Sequence, residues 1–210
     1  TTGRWLIPKL LSELAAAHPK VRLVVVDATT TSLLPQLAAG SLDVAVVNLP
    51  AVDPDVDTEV LFEEEHVLLL TDDHPLADRR SIHLRDLADL PLLLEPPGTG
   101  FRDDLDADAA RAGVTLTAQA EVDGMRLLAS LAYQGYGAAI LPASAVVEWS
   151  DGSWSTVALE GTTPRGVGLA TPRRGRLAAP TRSTIEVLRR VIATEVPSRP
   201  LLHLRDAERA

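Results

Sequence analysis

The sequence predicts an α/β fold with mostly parallel sheets, and three observations carry that expectation. Apolar runs of strand length alternate with helical patterns along the 210 residues. Several of these runs are apolar at nearly every position, "VRLVVVD" (21–27) above all, as suits strands covered on both faces. One order of elements (helix, strand, loop, helix, glycine, strand) also occurs twice, in residues 1–47 and again in 98–141.

Each element has its own signal. Residues 3–17 put Ile7, Leu10, Leu11 and Leu14 on one helical face. Pro8 lies early in that helix, where a missing N–H is expected to cost little, and His18-Pro19 ends it. After the strand at 21–27, residues 32–39 read as a short helix closed by Gly40. "LDVAVV" (42–47) reads as a buried strand and "NLPAVDPDVD" (48–57) as a loop. "TEVLFEEE" and "HVLLLT" are strand-like, and "DDHPLAD" (72–78) interrupts them with proline and charge. A short helix near 84–88 and a strand at 90–95 follow. "PPGTGFRDDLDADAARAGV" (96–114) is a Gly/Pro loop opening a helix that Gly113 closes. A strand at 114–122, a helix at 123–135 ending on Gly135, and a strand at 137–142 complete the second copy. "WSTVALE" and "VGLAT" are late strands, 180–196 is an amphipathic helix, and 197–210 reads as a polar tail that frays.

Composition narrows the chemistry. The chain is 46% hydrophobic and 23% charged, as in globular proteins, and its apolar runs are too short to span a bilayer. No secretory signal pattern is visible. There is no cysteine, so disulfides, thiol catalysis and cysteine-ligated zinc are excluded from these residues. A formal net charge of −9 makes the chain itself a poor partner for nucleic acid. The five histidines show no HExxH spacing, and neither GxSxG nor a complete P-loop is present. "EEEH" (63–66) reads as solvated or lobe-linking structure rather than a metal site, because strand alternation sends neighbours to opposite faces. No cofactor is expected.

Candidate binding residues gather where helices start. Such starts present free N–H groups and the positive end of the helix dipole, a ready place for a carboxylate or phosphate. Four are expected: Thr1-Thr2, Thr29 to Ser32, Gly98-Thr99 and Asp123-Gly124. One hydroxyl suffices to cap a helix, so "TTTS" (29–32) exceeds that need, and Thr30 and Thr31 become binding candidates. Arg102 and Arg126 fall in first turns, where a cation needs a nearby anion; pairing with Asp103, Asp104 or Glu121 would satisfy them. Phe101 either flanks an apolar part of a ligand or packs in the core.

These features together resemble the effector-binding domain of LysR-type transcriptional regulators. The resemblance rests on "LIPKLLSELAAAHPKVRLVVVDATTTSLLPQLAAGSLDVAVV", on "LFEEEHVLLLTDDHPLA" and on "AEVDGMRLLASLAYQGYGAAILP", in that order, over residues 1–196. It implies two Rossmann-like lobes like the type 2 periplasmic binding proteins, with an effector cleft between them. It further implies effector contacts from Thr1, Thr2, Thr30 and Thr31, from the loop Gly98, Thr99 and Phe101, and from Met125 at a second start. The strand that the family places just before Thr1 is not in this sequence. Subdomain I is then expected over 1–72 plus 167–196, subdomain II over 73–166, and a tail over 197–210. The implied partners are a small polar or anionic effector, further copies of the chain in a homodimer or homotetramer, and DNA through an N-terminal winged helix-turn-helix outside the chain. A cytoplasmic location with no membrane contact goes with that reading. A transporter's solute-binding protein shares the fold and is the alternative; an enzyme lacks a nucleophile–base pair here.

Overall fold

The computed structural model describes residues 1–146 and 153–205. It contains the helices α1 (Gly3–Ala17), α2 (Thr30–Ala38), α3 (Gly100–Arg111), α4 (Met125–Tyr133) and α5 (Ala179–Glu195). The strands are β1 (Ala45–Leu49), β2 (Val56–Glu64), β3 (His66–Thr71), β4 (Ser81–His83), β5 (Pro91–Leu94), β6 (Thr117–Glu121), β7 (Ala138–Pro142), β8 (Trp154–Glu160), β9 (Arg165–Pro172) and β10 (Leu202–Leu204). The chain forms two compact units, one from Thr2–Glu64 with Arg165 onward, the other from Glu65–Pro164.

The first unit holds a sheet in the order β1-β9-β2-β10, antiparallel at every pairing. The expectation of a mostly parallel sheet fails here for a topological reason. β1 and β2 do run in the same direction, but β9 arrives from more than 100 residues away and lies between them. No local pattern announces that insertion. The other unit has a mixed sheet, β4-β8-β3-β7-β5-β6. Its β5, β6 and β7 are parallel, as the helix–strand alternation implied, while β3 runs antiparallel to β7 and β8.

Three of the expected helix ends have one geometry. After α2, Gly40 has φ +73° and donates to Leu37 O, and Ser41 donates to Gln36 O. After α3, Gly113 donates to Ala110 O and Val114 to Ala109 O; after α4, Gly135 donates to Ala132 O and Tyr136 to Leu131 O. Each is a left-handed glycine closing two orphan carbonyls. The shared ends of α2 and α4 give the sequence repeat a physical basis.

Other expectations are corrected. Residues 21–29 form no ladder, and Val24, Val25 and Val26 are 74%, 48% and 45% exposed. A strand requires a hydrogen-bonding neighbour as well as apolar side chains, and β1 takes β9 as its partner. Pro8 is the sixth residue of α1, so its missing N–H belongs to an interior bond, a loss of roughly 3 kcal/mol. Burial of Trp5, Leu6, Leu10 and Leu14, at about 1.5–3 kcal/mol each, offsets it. The tail is not frayed through Leu204: Val196 and Leu202 are buried, and β10 pairs with β2. The last five residues of that expected tail lie outside the described residues. The first crossing between units comes at Glu64–Glu65 rather than near residue 72, because β3 is buried between β7 and β8. The return falls at Pro164–Arg165. "EEEH" is lobe-linking, as one of its two readings had it, since the chain passes between units at Glu64–Glu65; Glu64 itself is fully buried, not solvated, and pairs with Arg165.

α1 and α5 pack together in the first unit, with Trp5 against Phe62 and the Arg199 guanidinium 4.7 Å from the Trp5 ring centre. The Lys9 ammonium, 3.0 Å from Glu195, donates to that carboxylate and holds it below the usual carboxylate range, with Arg199 adding to the effect. A lowered folded-state pKa gives stability that is present above the unfolded value and lost as pH falls through the folded one. Glu195→Gln should therefore lower the melting temperature at neutral pH, and the gap from the parent chain should close as pH drops below about 4. Thermal melts across that range check it. Val25→Thr, at an exposed and unladdered position, should shift the unfolding free energy of this chain by no more than about 0.5 kcal/mol in urea titrations.

Candidate functional site

In the first unit, Thr30 and Thr31 open α2 with Thr29 as the N-cap residue. The hydroxyls form a chain. Thr29 Oγ1 donates to Ser32 Oγ at 3.0 Å, so its 3.0 Å contact with Thr31 Oγ1 is one it accepts. Thr30 Oγ1 instead accepts the backbone N–H of Asn48, 3.0 Å away in β1. That tie fixes the α2 start to the end of a strand, where α/β sheets place ligands. The proton count follows. Thr31 spends its proton on Thr29, and Thr29 spends its own on Ser32. Thr30 and Ser32 keep theirs. The Thr30 and Thr31 N–H groups also lack helical partners, whereas those of Ser32 and Leu33 go to the Thr29 carbonyl. This start is therefore rich in donors. Ser32, which the sequence reading counted only as part of the hydroxyl run, ends the chain of hydroxyls.

Thr1 and Thr2 precede α1. Thr2 is buried and in a helical conformation, makes no side-chain cap bond, and accepts the Leu6 N–H through its carbonyl at 3.1 Å. Thr1 is half-buried.

In the second unit, the loop before α3 is committed to its own structure. Thr99 is the N-cap residue; its hydroxyl donates to Pro96 O at 3.0 Å and accepts the Arg102 N–H at 3.4 Å. Its proton is thereby used. Gly98, at φ +87°, donates its N–H to the Asp103 carboxylate at 2.9 Å. That carboxylate was not foreseen as the partner of the loop, although an acid four residues past an N-cap is a readable signal. Arg102 is buried and spent: it donates to Asp106 and to the Glu95 carbonyl, each at 2.8 Å, and lies 3.6 Å from Glu121. Of the pairings expected for it, Glu121 is found and Asp103 is not, because Asp103 serves Gly98. Phe101 is half-buried, meets His66 edge-on at 5.3 Å, and packs on the core of the unit. What this start leaves open is backbone, the N–H groups of Gly100 and Phe101, since those of Arg102 and Asp103 go to Thr99. Met125 is the first residue of α4, half-buried, after Gly124 at φ +110°. Asp123 is exposed. Among the described residues, no group of three or more acidic or histidine side chains is placed to hold a metal ion.

Two α/β units joined by two crossovers make up the two-lobe fold of periplasmic-binding-protein type. The family model described as "LysR substrate binding domain" matches residues 1–193, and the chain belongs to that family. A curated relative from Mycobacterium leprae, named "Probable hydrogen peroxide-inducible genes activator", is 32% identical over 203 residues, covering 93% of this chain and 64% of its own. A cysteine-to-serine OxyR variant from Corynebacterium glutamicum, bound to H2O2, is 27% identical with a TM-score of 0.76, over 94% of this chain and 64% of that one. The CcmR regulatory domain of Synechocystis PCC6803 in complex with 2-PG shares the fold, with a TM-score of 0.80 at 19% identity over 92% and 94% of the two chains. The chain spans 47% and 64% of the first two curated relatives it matches.

Thr99→Ala should cost about 1 kcal/mol of stability by removing the α3 cap, measured by urea unfolding. Thr31→Ala should cost less, since no backbone donor depends on its hydroxyl.

Proposed function

We propose that this chain is the effector-sensing portion of a LysR-type transcriptional regulator. A small polar or anionic molecule is held reversibly, with the α2 start as its principal contact. Its binding is passed to a DNA-binding N-terminal domain outside these 210 residues. Thr1, Thr2, Thr30, Thr31, Gly98, Thr99, Phe101 and Met125 belong to the proposed set, with different weights. The observation that carries the reading is the direction of the hydrogen bonds at α2. Thr30 accepts from Asn48 and Thr29 donates to Ser32, which leaves hydroxyl protons and helix-start N–H groups to offer. Such a start fits an acceptor, namely a carboxylate, a phosphate or a compact oxygen ligand. Thr30 and Ser32 are the principal side-chain donors. Thr99 contributes an acceptor lone pair at most, and the α3 start contributes backbone.

Two solved neighbours carry bound molecules, H2O2 and 2-PG, which supports a ligand-binding role for the same fold here. These 210 residues contain no cysteine, so any response of this domain to peroxide runs through binding rather than a thiol–disulfide couple. No helix among the described residues is long and apolar enough to cross a membrane. A cytoplasmic protein assembled as a homodimer or homotetramer completes the reading.

A thermal-shift screen of small carboxylates, amino acids and aromatic acids tests it. At least one compound should raise the melting temperature in a saturable way. For that compound, Thr30→Ala should weaken binding about tenfold, the loss of one hydrogen bond to a charged acceptor at roughly 1.5 kcal/mol. Thr30→Ser should restore it. Wild-type affinity in Thr30→Ala would remove the α2 start from the site.

A further inference from the structure

The first half of α1 has little of its own to hold it in shape. Thr2 precedes it without a side-chain cap bond, and its first turn contains no acidic residue. Its first residue is Gly3, among the weakest of helix formers. Pro8 has no N–H to give the Arg4 carbonyl, so one rung of the helical ladder is missing. Support for this half comes from elsewhere in the first unit. Trp5 meets Phe62 of β2 with ring centres 5.8 Å apart. The Arg199 guanidinium stands 4.7 Å from the Trp5 ring centre. Lys9, four residues after Trp5 and on the same helical face, reaches Glu195 at 3.0 Å.

Arg199 belongs to a segment past α5, and past the residues 1–193 that the family model matches. That segment makes one short 3-10 turn at Val196–Ser198 and returns as β10. It is fastened at both ends. Val196 and Leu202 are buried, and Leu202, His203 and Leu204 pair with Glu64, Glu63 and Phe62. Between those fastenings Leu201 has φ +63°, a left-handed conformation that is costly for a residue with a Cβ. Such a conformation persists only where its surroundings impose it. Arg199 Nη2 also lies 3.5 Å from Glu195 Oε2, with both side chains 18% exposed. The Glu195 carboxylate therefore joins Lys9 of α1 to Arg199 of the segment. Phe62, which meets Trp5, is also a ladder partner of β10.

We propose that Val196–Leu204 is a strap that keeps the start of α1 ordered, with Arg199 as its positioning residue. The Arg199 cation faces the Trp5 ring and gives Glu195 a second partner beside Lys9. Both contacts reach α1 in the half that its own bonds hold least. Loosening the strap frees the first turns of α1 before the rest of the unit. Thr1 and Thr2 stand at that start, so the strap sets how far they are preorganised for a ligand. That consequence rests on the effector reading; the strap itself does not.

Hydrogen–deuterium exchange of the 210-residue chain, read by mass spectrometry with no ligand added, tests the assignment. In Arg199→Ala the amides of residues 5–10 should exchange about fivefold faster than in the parent, while those of α2 keep their rates. A general loss of stability would instead speed α1 and α2 together. Arg199→Lys, which keeps a cation at the ring, should exchange at rates between the two. Leu202→Ala, which loosens β10, should quicken the same α1 amides, and it decides the matter should Arg199→Ala fail to fold. Parent rates at residues 5–10 in Arg199→Ala and Leu202→Ala, or equal acceleration in α2, would overturn the strap. No ligand enters the measurement, so its outcome is separate from that of the effector screen.

Discussion

The return of the chain at Arg165 is the constraint on which the rest depends. β9 must enter the first sheet between two strands laid down more than 100 residues earlier. Its first residue brings a guanidinium into a buried position, and Glu64 is the carboxylate that compensates it. Were that pair absent, the cost of burying either charge would oppose the insertion at its starting rung. The pair also marks where one unit ends and the other begins. The sheet order, the two units and the two crossings are thus expressions of one strand placement.

Two helix starts in this molecule spend their side-chain hydrogen bonds differently. At α3, the Thr99 hydroxyl and the Asp103 carboxylate are turned inward on the loop that carries them. That start is stabilised by its own side chains and has little left to give except backbone. At α2, Thr29, Thr31 and Ser32 pass protons along one another while Thr30 is held from behind by Asn48. That start ends with donors to spare. The two helix starts, "TTTS" and "GTG", therefore differ in what their side chains leave unspent.

The helix starts proposed as the site were legible as helix starts, since Thr30 opens α2 and Thr99 caps α3. Within the threonine run, Thr30 differs from its neighbours in its partner. Arg102 was read as a cation needing carboxylates, and Glu121 and Asp106 supply them. What was not legible is who serves whom. Asn48 is 18 residues from Thr30, and nothing at either position announces the other. The unladdered 21–27 segment shows the same limit from the opposite side. Its valines carry the right pattern for a buried strand, but pattern encodes a preference for burial and says nothing of whether a neighbour is present to take the ladder.

The sequence by itself determined the helices, their glycine ends and the α/β class, because these depend on interactions spanning a few residues. A glycine at positive φ after α2, α3 or α4, with the residue that follows it, closes the carbonyls three and four positions before the glycine, and any chain with that local pattern can do so. The tertiary structure alone decided that β9 divides β1 from β2, that β10 covers the edge of β2, and that the crossings fall at Glu64 and Pro164. Those outcomes depend on which distant backbone reaches a ladder and on whether a buried charge finds its partner there. Such energies exist only between segments already brought together.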